Sequence, residues 1–193
     1  MSDADPRPRD SQRARLYRAE GQVGAGRRLP TVERMQAWVD AMAATDWFLA
    51  RWGARTFDVR PGFGHRRATA DQNGVLQMPK WARTELVLVH EVSHCLTPPS
   101  LAPHGAEYAG VLLTVARRAL GPGTAQLLED AFARERVRWT LSAVPDVRPS
   151  VANSRQTAAW ASTAGASVGD GPTASLIAAH QRDLADMDAQ RSV

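Results

Sequence analysis

Apolar positions recur at helical spacing in several stretches of the chain, with short β-type pieces between the first and the second. Val32, Met35, Val39, Met42 and Leu49, with Trp38 and Trp52 alongside, trace a core stripe. That stripe predicts a helix over 31–52, capped by Thr31 after Pro30 and stopped by Gly53. Over 56–59, 66–70 and 74–78 the residues suit strands, and Asp71-Gln72-Asn73-Gly74 has hairpin-turn chemistry because Asn-Gly readily takes positive φ. A helix over 79–96 follows, ended by Thr97-Pro98-Pro99. Its Leu86, Leu88, Val89, Val92, Cys95 and Leu96 leave it apolar nearly all round, the mark of a helix buried inside a domain. Val111, Leu112, Val115 and Ala119 predict another helix over 106–120, closed by Gly121-Pro122-Gly123. Leu127, Leu128, Ala131, Phe132 and Trp139 trace a third, amphipathic one over 124–139. This order predicts an α+β fold, mainly helical, with a small antiparallel sheet just before the buried helix.

The ends read differently. Residues 1–8 are a polar lead, and a weak helical pattern over 9–20, with Leu16 and Tyr17, is broken by the three glycines of 21–28. The expected organisation is a basic, partly disordered arm over 1–28, a domain over 29–142, an Ala/Ser/Thr/Gly/Pro-rich linker over 143–172 and an amphipathic helix over 173–193. Trp160 is the one residue that would anchor the linker. Leu176, Ile177, His180, Leu184 and Met187 form the last helix's stripe, with His180 read as a packing residue.

A length of 193 residues gives room for one domain with a core, plus tails, and 44% hydrophobic with 23% charged residues is ordinary for a soluble globular protein. The single cysteine, Cys95, excludes an intramolecular disulfide and a cysteine-based zinc ribbon, and its place on the buried helix makes it a core residue rather than a nucleophile. The start lacks the apolar core of a secretory signal and no run approaches the roughly 20 apolar residues of a membrane span, so a cytoplasmic protein is expected. Of the net charge of +4, an excess of three falls in 1–30, where seven arginines face four acids. That supports contact with nucleic acid only weakly, since a solvated arm is the commoner outcome.

The candidate chemistry lies on the buried helix, as His90-Glu91-Val92-Ser93-His94. On a helix this H-E-x-x-H spacing sets His90 and His94 about 40° apart on the surface and Glu91 roughly 60° further round, so that two ligands and a base share one face. Two histidines and a glutamate are costly to bury without a partner, and a cation supplies one. Three of the five histidines fall between 90 and 104, and the third, His104, opens the next helical pattern after a short proline-stiffened loop. Catalytic zinc takes three protein ligands and keeps a fourth position for water, so His90, His94 and His104 are the expected ligands of one Zn²⁺ per chain, with Glu91 as general base and then acid. Glu107 is placed to orient a ligand imidazole or to replace His104 as third ligand. Tyr108 and His65 are candidates to stabilise an oxyanion, each weighed against a structural role.

His90-Glu91-x-x-His94 followed by Ala102-Pro103-His104-Gly105-Ala106-Glu107-Tyr108 resembles the SprT-like zinc metallopeptidases, in which a His-Gly segment after the buried helix supplies the third ligand. The stretch 13–120 looks closer still to a group of small metallohydrolases of actinobacteria and their phages, through 12–20, 79–84 and the metal segments. The resemblance implies a minimal zincin-like domain, a polypeptide substrate and His104 as third ligand in preference to Glu107. The loop between His94 and His104 is shorter than in many SprT-like proteins, and the absent zinc ribbon means that repair of DNA–protein crosslinks does not carry over. Two other functions remain open: a metal-dependent hydrolase of another amide or ester, and a module binding nucleic acid or a partner around a structural metal. Glu91 separates them, because a structural site has no use for a base and would fill its fourth position with protein.

Overall fold

A computed structural model of the chain describes residues 10–63 and 67–141. The expectations for 1–9, His65, the linker and the C-terminal helix lie outside the described residues. The elements are α1 (Arg13–Val23), α2 (Val32–Ala43), α3 (Asp46–Trp52), β1 (Asp58–Pro61), β2 (Thr69–Ala70), β3 (Val75–Met78), a 3₁₀ turn at Lys80–Ala82, α4 (Glu85–Leu96), α5 (Ala106–Ala119) and α6 (Pro122–Glu135). The fold is α+β and mainly helical, as the apolar pattern requires. Among the described residues no helix is long and apolar enough to cross a membrane.

Residues 40–54 group apart from 10–39 and 55–141. They hold the end of α2 and all of α3, with the rings of Trp47, Phe48 and Trp52 packed on one another at 5.0–5.9 Å. One helix was expected over 31–52, but the chain breaks at Thr45, whose backbone is extended (φ −71°, ψ 147°) and whose hydroxyl donates to the Met42 carbonyl at 2.6 Å. Thr45 followed by Asp46 is a helix-start signature, and it interrupts an apolar stripe that continues past it.

In the larger unit, α5 packs against both α4 and α6, and α1 packs against α6. Leu16, Ala19, Leu88, Leu112, Leu128 and Phe132 are all fully buried. The N-terminal segment is therefore no arm from residue 10 onward. α1 runs through Gly21 to Val23 and ends where Gly24 takes φ 86°. Gln12, 2% exposed, ties its start to the segment after α6: its amide donates to the Arg138 carbonyl at 2.9 Å and accepts from the Arg138 N–H at 3.0 Å. α6 stops earlier than the stripe to Trp139 suggests, because Arg136 turns left-handed (φ 55°) and the chain bonds back to Phe132 and Ala133.

The sheet has the order β1-β3-β2 and is mixed: β2 and β3 form the expected antiparallel hairpin, but β1 runs parallel to β3. This corrects the antiparallel expectation. A hairpin reads locally, whereas the parallel pair joins strands with β2 between them in sequence. At the turn the Asp71 side chain accepts from Asn73 and Val75, and Gly74 alone takes positive φ (87°). The outer side of β1 is covered by Gln36, whose amide accepts from Val59 N–H and donates to the Phe57 carbonyl. β2 is the other edge and packs beside α4.

Gly110 of α5 has the Thr140 main chain lying directly over it, where a Cβ would overlap the Thr140 carbonyl. Gly110→Ala must push 139–141 off the helix, at about 1–3 kcal/mol. Thermal denaturation should show that loss, and an unchanged midpoint would mean that the segment packs elsewhere.

Candidate metal centre

α4 begins at Glu85 rather than at Pro79, after the 3₁₀ turn, because Thr84 caps it with a side-chain oxygen that accepts from Val87 N–H. Its start is fixed against residues 25–29, through Glu85 N–H to the Arg27 carbonyl, Leu86 N–H to the Ala25 carbonyl and the Arg27–Glu85 ion pair at 2.9 Å. Only Val87 and His94 of its twelve residues are not buried. His90 and Glu91 are each 5% exposed.

The three expected ligands meet. The donor atoms of His90, His94 and His104 all lie within 4.8 Å of one another, and the Nε2 atoms of His90 and His94 are 3.2 Å apart. Nitrogens held at 2.0–2.1 Å by a tetrahedral ion stand about 3.3 Å apart. Two of the other ring nitrogens are committed: His90 Nδ1 faces Glu20 Oε1 at 2.7 Å, and His104 Nδ1 faces Asp10 Oδ2 at 2.8 Å. A carboxylate at Nδ1 holds the proton there and turns the Nε2 lone pair inward, as in carboxylate–histidine–metal triads. His104 Nε2 is buried with no hydrogen-bond partner. A buried acceptor of this kind, facing two others, fits a metal ion. Among the described residues no fourth histidine, cysteine or carboxylate joins the group.

Charge and burial set the protonation. Burial drives His94 down to about 2, with His90, His104 and Arg13 adding to the effect. Burial also lowers His104, against the bond from Asp10. For His90 burial pulls down too, but the charge and hydrogen bond of Glu20 outweigh it and hold the ring above its ordinary value. Burial pushes the Glu91 carboxyl up to about 7, opposed by His90 and reinforced by Glu20, a range that suits a base working near neutral pH. Cys95 is buried, and its thiol is pushed to about 12, chiefly by that burial.

A cleft of about 520 Å³ opens along His90 and Glu91, walled by Gly24, Ala25, Ala68, Trp81, Leu86 and Val87. Ala68 leads directly into β2, so the sheet edge borders the cleft.

The remaining expectations fare differently. Glu107 stands in the first turn of α5 outside the ligand group, its carboxylate over Gly105. The imidazoles are oriented instead by Glu20 and Asp10. Tyr108 is fully buried, and its hydroxyl donates to the His90 carbonyl at 3.1 Å, which braces α5 on α4 and leaves no hydrogen for an oxyanion. His65 lies outside the described residues. Sequence reasoning missed Asp10, Tyr17 and Glu20. The signal was a polar stripe, Asp10, Arg13, Tyr17 and Glu20, at spacings of three, four and three, one face of a helix.

Asp10→Asn and Glu20→Gln should each weaken metal binding about 10–100-fold, because the amide no longer holds the Nδ1 proton as a carboxylate does. Competition with a chromophoric chelator measures this, and wild-type affinity in both variants would remove the two carboxylates from the site.

No protein-family model, no curated protein and no solved structure matches this chain.

Proposed function

We propose that the chain is a zinc-dependent metallopeptidase of the minimal SprT-like kind. One observation carries the reading: three imidazole nitrogens converge, and one of them, His90, lines an open cleft together with Glu91. A structural zinc takes four protein ligands, and three with a neighbouring carboxylate is the catalytic pattern. Bound there, the ion supplies Lewis acidity and lets water ionise near neutral pH. Glu91 takes the proton of the attacking water as its oxygen bonds the peptide carbon, and passes that proton to the amine as the C–N bond breaks. Glu20 and Asp10 hold the His90 and His104 rings in register throughout. The edge strand β2 would hold an extended peptide by main-chain hydrogen bonds, while the apolar cleft takes a side chain.

The test is metal analysis of the purified full-length chain, with cleavage of unfolded casein and a peptide library before chelation, after it, and after zinc is restored. One equivalent of zinc and chelator-sensitive cleavage are expected. Zinc without cleavage of any polypeptide would overturn the peptidase reading and favour another amide or ester as substrate.

A further inference from the structure

The chain has two tyrosines, and both stand against the imidazoles. Tyr108 backs them from the core, its ring 4.5–5.4 Å from all three, and its hydroxyl is spent on the His90 carbonyl. Tyr17 of α1 covers them from the cleft side. Its ring lies 5.5 Å from that of His90, nearly parallel at 20°, and 5.2 Å from that of His104. It is 38% exposed and lines the cleft with His90 and Glu91, whereas Leu16 and Ala19 of the same helix are fully buried and do the packing.

The Tyr17 phenol also has charged neighbours. Arg13 lies one turn earlier, and the charges of Arg13, Glu91 and Glu20 all act on the hydroxyl. The Arg13 guanidinium carbon is 5.6 Å from the Tyr17 ring centre, and its charge reaches His90, His94 and His104. α1 thus brings one neutral donor and one cation to the space that Glu91 and the ligands face.

Peptide hydrolysis needs such a donor, because negative charge gathers on the carbonyl oxygen as the carbon becomes tetrahedral. α4 and α5 do not offer one among the groups described: Glu91 is the base, the Nδ1 protons of His90 and His104 are held by carboxylates, and Tyr108 is engaged. Resting on the hydrolytic reading of this site, we propose that Tyr17 is a catalytic residue that donates a hydrogen bond to the developing oxyanion, with Arg13 as a positioning residue that holds the phenol. The proton stays on Tyr17 throughout, so only the strength of the hydrogen bond changes.

The test uses the full-length zinc-loaded chain and its Tyr17→Phe variant, which keeps the ring over the imidazoles and loses only the hydroxyl. Zinc content and melting temperature should be unchanged. The variant's kcat should fall about 10²–10³-fold with KM within about threefold. Affinity for a phosphonate analogue of the best-cleaved library peptide should fall in parallel, while affinity for the carboxylate product stays level. Arg13→Ala should lose part of the rate, Arg13→Lys should recover much of it, and Arg13→Ala should cost little more in the Tyr17→Phe background. A Tyr17→Phe chain that equals wild type in kcat and phosphonate affinity would overturn the role of Tyr17 and leave the peptidase reading standing. Loss of zinc on Tyr17→Phe would overturn it too, by making the contact structural. A wild-type chain that holds zinc but neither cleaves peptides nor binds the phosphonate would overturn both readings.

Discussion

Glu91→Gln should keep one equivalent of zinc and lose about 10²–10⁴-fold in turnover of unfolded casein, the usual worth of a positioned general base. The substitution is nearly isosteric, so the buried face of α4 need not repack. Two of the imidazoles are oriented by Glu20 and Asp10 rather than by Glu91. A loss of zinc would show Glu91 to be a ligand, and retained cleavage would remove it from the mechanism. Zinc analysis beside the cleavage assay distinguishes the two.

Chelation should lower the melting temperature on the order of 10 °C relative to protein in excess zinc. An ion at a free concentration a thousandfold above its dissociation constant stabilises the native state by about 4 kcal/mol, and a chain of this size shifts by about 2–4 °C per kcal/mol. Differential scanning calorimetry, with zinc added back, measures it, and a midpoint indifferent to both treatments would mean that the imidazoles hold no ion. The metal-free protein should also answer to pH with a definite sign. His94, at about 2 when folded against its ordinary 6.5, contributes stability above pH 6.5 that is lost as pH falls toward 2. Glu91, at about 7 against its ordinary 4.5, contributes stability below pH 4.5 that is lost as pH rises through 7. Between 4.5 and 6.5 the two slopes oppose each other, so the acid-side loss from this pair begins below 4.5. His94→Gln should make that loss shallower.

The cluster of three imidazoles was legible because its signal is local. His90, Glu91 and His94 sit on one helix whose apolar positions are dense enough to fix its phase, and His104 follows within ten residues across a stiff loop. The sheet was legible only where a turn encodes the pairing: Asp71 to Gly74 fixes β2 against β3, whereas the parallel β1 pairing is set by tertiary packing. A weak helical pattern over 9–20 was legible, but the docking of α1 was not. Between 13 and 23 its fully buried apolar residues are only Leu16 and Ala19, and two glycines bracket its last turn, so its propensity is poor and it stands by docking on α6. Its polar side reads as a solvated face until the fold turns it onto the imidazoles. Tyr108 taught the opposite lesson: an aromatic beside a ligand names a neighbour, and only coordinates reveal whether its hydroxyl is already taken.

The dependence of α1 on α6 orders events during synthesis. Residues 10–23 leave the ribosome first, yet their docking surface and the Gln12–Arg138 clamp, which spans 126 positions, exist only once the chain has been extended past residue 138. All three imidazoles are made well before α1 gains the surface that docks Glu20, and Asp10 just ahead of it, beside two of them. A chain halted before residue 138 should therefore carry the three imidazoles without the docked carboxylates that orient two of them, and should bind a metal ion more weakly than the full chain.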